Sequence, residues 1–199
     1  MAKSRSSIQN VRGLGGEGSR RWLVFWLIGV GVVAFFAVVG YVVWLDLQPV
    51  PILGELVEIA SPEHVRPGGK ATNFTTDPPT SGNHDAVPAQ AGFYDVAPSD
   101  EQLVHSLEHG YVIVYYNCSQ MSDVECAAFK QDLQKAMDAS GVAGNTRTPK
   151  LIVAPRPDMD NLLTYTSWGR IYRVDAFDQD EFVLFVQQNR NQAPEPRAP

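Results

Sequence analysis

Between Trp22 and Leu45 the sequence contains no charged residue, and this run constrains the chain more than any other feature. It is 24 residues long, where about 20 apolar residues suffice for a helix to cross the hydrocarbon core of a bilayer. Val, Phe and Leu dominate it. Trp22, Trp26, Tyr41 and Trp44 fall towards its ends, where indole and phenol rings favour the headgroup region. With every face apolar, the helix has no polar side to present to water, as a helix on a soluble domain would. Basic residues gather before the run (Lys3, Arg5, Arg12, Arg20 and Arg21 against Glu17), whereas Asp46, Glu55 and Glu58 follow it. The positive-inside rule then predicts a cytoplasmic basic tail over 1–21 and a single transmembrane helix over 22–45. The remainder lies outside, tethered to the lipid bilayer of the cell membrane. A cleaved signal peptide is the competing reading, but its apolar core would be about 7–15 residues and a small-x-small site would follow it. Neither condition is met.

Charge separates the two parts of the chain. Of 22 acidic and 16 basic residues, one acid and five bases precede the span, leaving 21 acids against 11 bases from residue 46 onward. An acidic ectodomain repels phosphate, which excludes nucleic acid as a partner. About 150 residues is the size of one domain with a real core. We divide it into a linker and first element over 46–60, an α/β domain over 61–190, and a Pro-rich tail over 191–199 expected to be disordered.

Glu63 to Val96 is dense in Pro, Gly, Asn, Asp and Thr, a turn chemistry rather than a repeating one. Regular structure is expected from Ser99. Ser99 and Gln102 make a capping-box pattern for a helix that stops at Gly110. Tyr111 to Tyr116 reads as a buried strand, Asp123 to Ala139 as an amphipathic helix, and Leu151 to Ala154 as a short strand. Leu162 to Thr166 and Arg170 to Asp175 form two further strands before a last helix over Phe177 to Asn189. This order predicts an α+β fold, an α/β two-layer arrangement. It is similar to a reduced thioredoxin-like core, with a parallel βαβ unit first and then an antiparallel pair and a helix. Likeness of fold assigns no oxidoreductase activity.

Both cysteines and all four histidines follow the span. Cys118 and Cys126 stand eight apart. In an oxidising compartment the simplest reading is a disulfide closing a small loop, with a redox pair and a pair of metal thiolates as alternatives. His105 and His109 lie one helical turn apart on the same face, with Glu101 and Glu108 nearby and Leu103 and Leu107 on the core side. Two imidazoles at this spacing can hold one metal ion, although histidines also serve simply to cap a helix end. Pro78-Pro79 restricts the loop carrying His84, so His84, His105 and His109 are expected to converge on one site. His64, Glu108, a methionine or water would complete it, and Tyr94, Tyr115 and Tyr116 are candidate lining residues. His105-x-x-Glu108-His109 also matches the inverted zinc-peptidase motif, for which Glu181 is the one tempting third ligand, but Gly110 ends the helix too soon to support it. The sequons at Asn73 and Asn117 are chance-level patterns.

Four segments together carry a resemblance. Asp77-Pro78-Pro79-Thr80-Ser81-Gly82-Asn83-His84, Gly92-Phe93-Tyr94, His105-Ser106-Leu107-Glu108-His109-Gly110 and Ser167-Trp168-Gly169-Arg170 resemble the bacterial family catalogued as domain of unknown function 3105. The likeness covers roughly residues 55–190, and many members similarly carry one N-terminal anchor. It implies no activity. It does imply that the His84 and His105–His109 motifs belong to one domain design. The sequence therefore predicts a membrane-tethered, extracytoplasmic domain that binds copper or zinc through a histidine cluster, in metal handling or as a surface accessory, and it favours a non-enzymatic role. The alternative is an accessory subunit of a larger membrane protein complex. Its helix would pack against partners through Gly29, Gly31, Ala34, Ala37 and Gly40.

Overall fold

Val112–Tyr116 (VIVYY) is buried at all five positions, so a strand there must be covered on both of its faces. In the structure, a computed structural model that describes residues 17–141 and 149–199, both faces are covered. The described elements in chain order are α1 (Glu17–Asp46), β1 (Glu55–Leu56), β2 (His64–Val65), β3 (His84–Asp85), β4 (Gly92–Phe93), α2 (Asp100–Glu108), β5 (Val112–Tyr116), α3 (Asp123–Ala139), β6 (Leu151–Pro155), β7 (Leu163–Ser167), β8 (Arg170–Val174) and α4 (Gln179–Asn189). They fall into two units, Met1–Pro51 and Ile52–Pro199.

In the first unit α1 is one uninterrupted helix of 30 residues. The part from Arg20 to Asp46 is long and apolar enough to cross a membrane. The expected basic residues Lys3, Arg5 and Arg12 lie outside the described residues.

The second unit is α+β. Its six-stranded sheet has the order β1-β8-β7-β5-β6-β4. β5 and β6 pair in parallel across α3, β7 pairs antiparallel to β5, and β8 pairs antiparallel to β7 before α4. This is the expected succession of a parallel βαβ unit, an antiparallel pair and a helix. Two-residue strands extend the sheet at both edges, β4 parallel to β6 and β1 antiparallel to β8. The first element expected within 46–60 is thus an edge strand.

Alternation along β5 divides the core. Val112, Val114 and Tyr116 pack with Phe129, Leu133 and Met137 of α3 and with Phe182, Phe185 and Val186 of α4. Ile113 and Tyr115 pack on the opposite face with Leu103 and Leu107 of α2. Helices therefore cover both faces, where a two-layer arrangement was expected. The reason is the all-apolar β5: a single helical layer would leave Ile113 and Tyr115 in water, at roughly 1.5–3 kcal/mol for each large apolar side chain.

One further element departs from expectation. The tail, expected to be disordered for want of apolar residues, wraps the C-terminal end of α2. Asn191 N donates to Gly110 O at 2.8 Å, Glu195 N to Glu108 O at 3.0 Å, and Lys150 Nζ to both His109 O and Pro196 O at 2.8 Å. Helix-terminal carbonyls lack partners within the helix, and the tail together with Lys150 supplies them. Cys118 and Cys126 are joined, with Cα atoms 5.6 Å apart, linking the end of β5 to the first turn of α3. Closing this eight-residue separation is expected to stabilise the fold by about 2–3 kcal/mol. Denaturant unfolding of the Cys118→Ser/Cys126→Ser protein measures it. A change below about 0.5 kcal/mol, the size of an ordinary surface substitution, would mean the loop is held by other contacts.

Candidate metal centre

The helix α2 is set by its two ends. Ser99 accepts from Gln102 N while the Gln102 side chain reaches back to the Ser99 backbone, completing the capping box. At the other end Gly110 N donates to Leu107 O and Tyr111 N to Ser106 O. That closure needs a left-handed residue, and Gly110 has φ +87. A Cβ at Gly110 would also stand 2.7 Å from Asn191 Cα. Leu103 and Leu107 enter the core, which turns His105 and Glu108, three residues apart, towards the segment 64–85.

That segment brings two more histidines. β2 and β3 form a two-stranded parallel ladder in which His64 pairs with His84. The ladder stands on the motifs of the 77–84 loop. Ser81 Oγ accepts from Ala60 N, Thr80 O from Gly169 N, and Asn73 Oδ1 from Asn83 N. Gly82, at φ +124, packs against Asn73 and Phe74 where a Cβ would meet atoms at 3.0 Å. Asp85 braces the other side by accepting from Gly68 N and Val87 N. The bond from Gly68 leads in holding its carboxyl below the usual carboxylate range.

The ring centroids of His64, His84 and His105 form a triangle with sides of 4.9, 5.0 and 4.9 Å. One donor atom from each, together with one from Glu108, lies within 4.8 Å of all the others. His84 and Glu108 are buried, His105 is 5% exposed, and His64 faces solvent. Tetrahedral zinc with Zn–N near 2.0–2.1 Å sets its donors roughly 3.3 Å apart, so loading would draw this set in by an ångström or so.

The hydrogen bonds decide which ring atoms are free. His84 Nδ1 faces Gly82 O at 2.9 Å and His105 Nδ1 faces Asp85 O at 2.7 Å. A carbonyl oxygen can only accept, so both Nδ1 atoms carry a proton and the Nε2 atoms are the nitrogens turned to the centre of the cluster. Outer-sphere bonds of this kind orient metal-binding imidazoles. His84 Nε2 nevertheless lies 3.0 Å from Glu108 Oε2 and has no hydrogen-bond partner. A ring nitrogen and a carboxylate oxygen at that distance require a proton or a cation between them. A proton serves two atoms, whereas here His64 and His105 converge on the same place. Burial, foremost, and the neighbouring histidines lower the His105 pKa to about 4 against the bond to Asp85, so the ring is neutral at pH 7.

Of the residues expected at this site, His84 and His105 are in it. His64 and Glu108, proposed only as completions, are full members. His109 is not in the four-donor group: it caps α2, its Nδ1 donates to Pro199 O at 3.2 Å, and its Nε2 lies 3.0 Å from His105 Nε2. Three and four residues on from His105 are both neighbours on a helix, and it is the side taken by the 64–85 segment that selects Glu108. Glu101 turns away to accept from Ala71 N. Tyr115 is core, Tyr116 lies on the other sheet face, and Tyr94 donates to Gln90 O. The peptidase reading loses its geometry, because Glu181 starts α4 on the opposite face of the sheet and accepts from Tyr172 Oη.

The family model described as a protein of unknown function (DUF3105) matches residues 64–199. The chain belongs to that family. The match begins at His64 and takes in all four histidines, Glu108 and the wrapped tail of this DUF3105 domain, and it leaves α1 outside. No curated protein and no solved structure matches the chain.

Proposed function

We propose that this DUF3105 protein is a membrane-tethered, extracytoplasmic metal-binding domain that holds one divalent ion through His64, His84, His105 and Glu108. The observation that carries the reading is the His84 Nε2–Glu108 Oε2 contact of 3.0 Å at the point where two further imidazoles converge. Three imidazoles and one carboxylate suit zinc or Cu(II), and the absence of thiolate or thioether donors from the set disfavours Cu(I). Four protein ligands make a closed set of the structural or carrier type, without the open position a hydrolytic zinc needs. Metal handling at the outer face of the membrane, without catalysis, follows from that. The basic residues before α1 and the disulfide beyond it support the outside placement of the domain. A role as accessory subunit of a larger membrane complex is compatible with the same chemistry. It draws on Gly29, Gly31 and Gly40, beside which α1 leaves open space.

Elemental analysis of the full-length protein, expressed without a His tag and extracted in mild detergent, tests the reading. About one equivalent of zinc or copper per chain is expected. Protein that stays metal-free after equilibration with either ion would refute the site. In intact cells, a membrane-impermeant thiol label should reach a Cys introduced at 196 and not one at 5; the reverse pattern would invert the topology.

A further inference from the structure

His109 and Glu195 are metal-competent side chains left over by the four-donor group, and they adjoin it. Glu195 Oε2 lies 3.6 Å from His109 Nε2, and its side chain is 58% exposed. His109 Nδ1 faces Pro199 O at 3.2 Å and its Nε2 lies 3.0 Å from His105 Nε2, a separation that needs a proton or a cation between the two nitrogens. Position is enforced on both residues. The Glu195 backbone donates to the Glu108 carbonyl, and Lys150 Nζ ties His109 O to Pro196 O.

Resting on the function proposed above, we infer that His109 and Glu195 form an outer landing position through which the ion reaches the inner set by way of His105. The transfer is a succession of ligand exchanges with no change of oxidation state. The Glu195 carboxylate and His109 Nε2 take up the hydrated ion, displacing water from it and releasing to solvent the proton shared by the His109 and His105 nitrogens. His105 Nε2 then replaces the Glu195 oxygen at the ion, and His84, Glu108 and His64 displace His109 and the remaining water. The tail, which lies against the ligand-bearing turn of α2, is on this reading the mouth of the site. His64, itself exposed, offers the competing way in.

Loading kinetics separate the two routes. Metal-stripped full-length protein in detergent is mixed with Zn2+, and uptake is followed by loss of the ion from a chromophoric indicator. Glu195→Gln and His109→Gln are each expected to slow uptake roughly tenfold, the scale on which supporting groups act on metal sites, with final stoichiometry and affinity unchanged. Glu58→Gln, an exposed acid elsewhere, should leave the rate alone. His109 is buried and its variant can misfold, so Glu195→Gln carries the test by itself. An unchanged rate in Glu195→Gln overturns the inference in favour of uptake past His64. Faster uptake overturns it too, by making the tail a barrier, and equal slowing in Glu58→Gln reassigns the effect to net charge. Wild-type protein that takes up no zinc defeats the proposed function itself, whereas normal loading with unaffected rates defeats only the outer position.

Discussion

His64→Ala, His84→Ala and His105→Ala protein is expected to emerge from purification with little or no bound zinc or copper, while His109→Ala protein keeps about one equivalent. The contrast tests the geometry and not merely the presence of histidines, because His109 adjoins His105 at 3.0 Å yet stands outside the four-donor group. Altering a group that only supports a metal ligand typically costs 10–100-fold in affinity, so losing a ligand outright should exceed roughly 100-fold. His64 is the most telling position. It is exposed, so its truncation leaves the core intact and the circular dichroism spectrum should be unchanged. Glu108→Gln should weaken binding as well, since it withdraws the one anionic donor. Equal metal content in the His64 and His109 variants would show that the ion, if bound, sits elsewhere.

Metal should also stabilise the domain by a large and reversible amount. The four donors come from β2, β3 and α2, pieces that the unfolded chain does not hold together, so the ion binds the folded state selectively. At a free concentration about a thousand times Kd, one such site contributes about 4 kcal/mol. For a domain of roughly 150 residues each kcal/mol moves Tm by about 2–4 °C, which gives an increase of roughly 8–16 °C. Thermal melts of the full-length protein with zinc, with chelator, and with zinc restored after chelation measure it directly. The His105→Ala melt should not respond to zinc. A wild-type Tm indifferent to both zinc and chelator would contradict selective binding by the folded state.

Much of the fold is local information, and it was legible. The capping box at Ser99, the stop at Gly110, the amphipathic period of Asp123–Ala139 and the apolar VIVYY run each depend on residues within a turn or two of one another. Position β5 had to be buried because all five of its side chains are apolar or aromatic. The Cys118–Cys126 bridge spans only eight residues, so it too is local. The uncharged stretch from Trp22 to Leu45 likewise determined a long apolar helix by composition alone.

The site was legible only in part. His105 and its helix partners were visible as a periodic set, but periodicity offers Glu108 and His109 equally, three and four residues on. What chose Glu108 is the 64–85 segment, which lies against that side of α2 and carries the His64–His84 pair across 20 residues of turn-rich chain. No local pattern encodes a ladder of two-residue strands; it exists because Gly82, Asn73, Ser81 and Asp85 tie loop backbone to loop backbone. The tail shows the same division. Its composition lacks the apolar residues that would bury it, so by sequence it is a disordered end. Its order comes from backbone groups meeting the unpaired carbonyls of α2, a complementarity that does not exist until the helix has been packed and its end exposed.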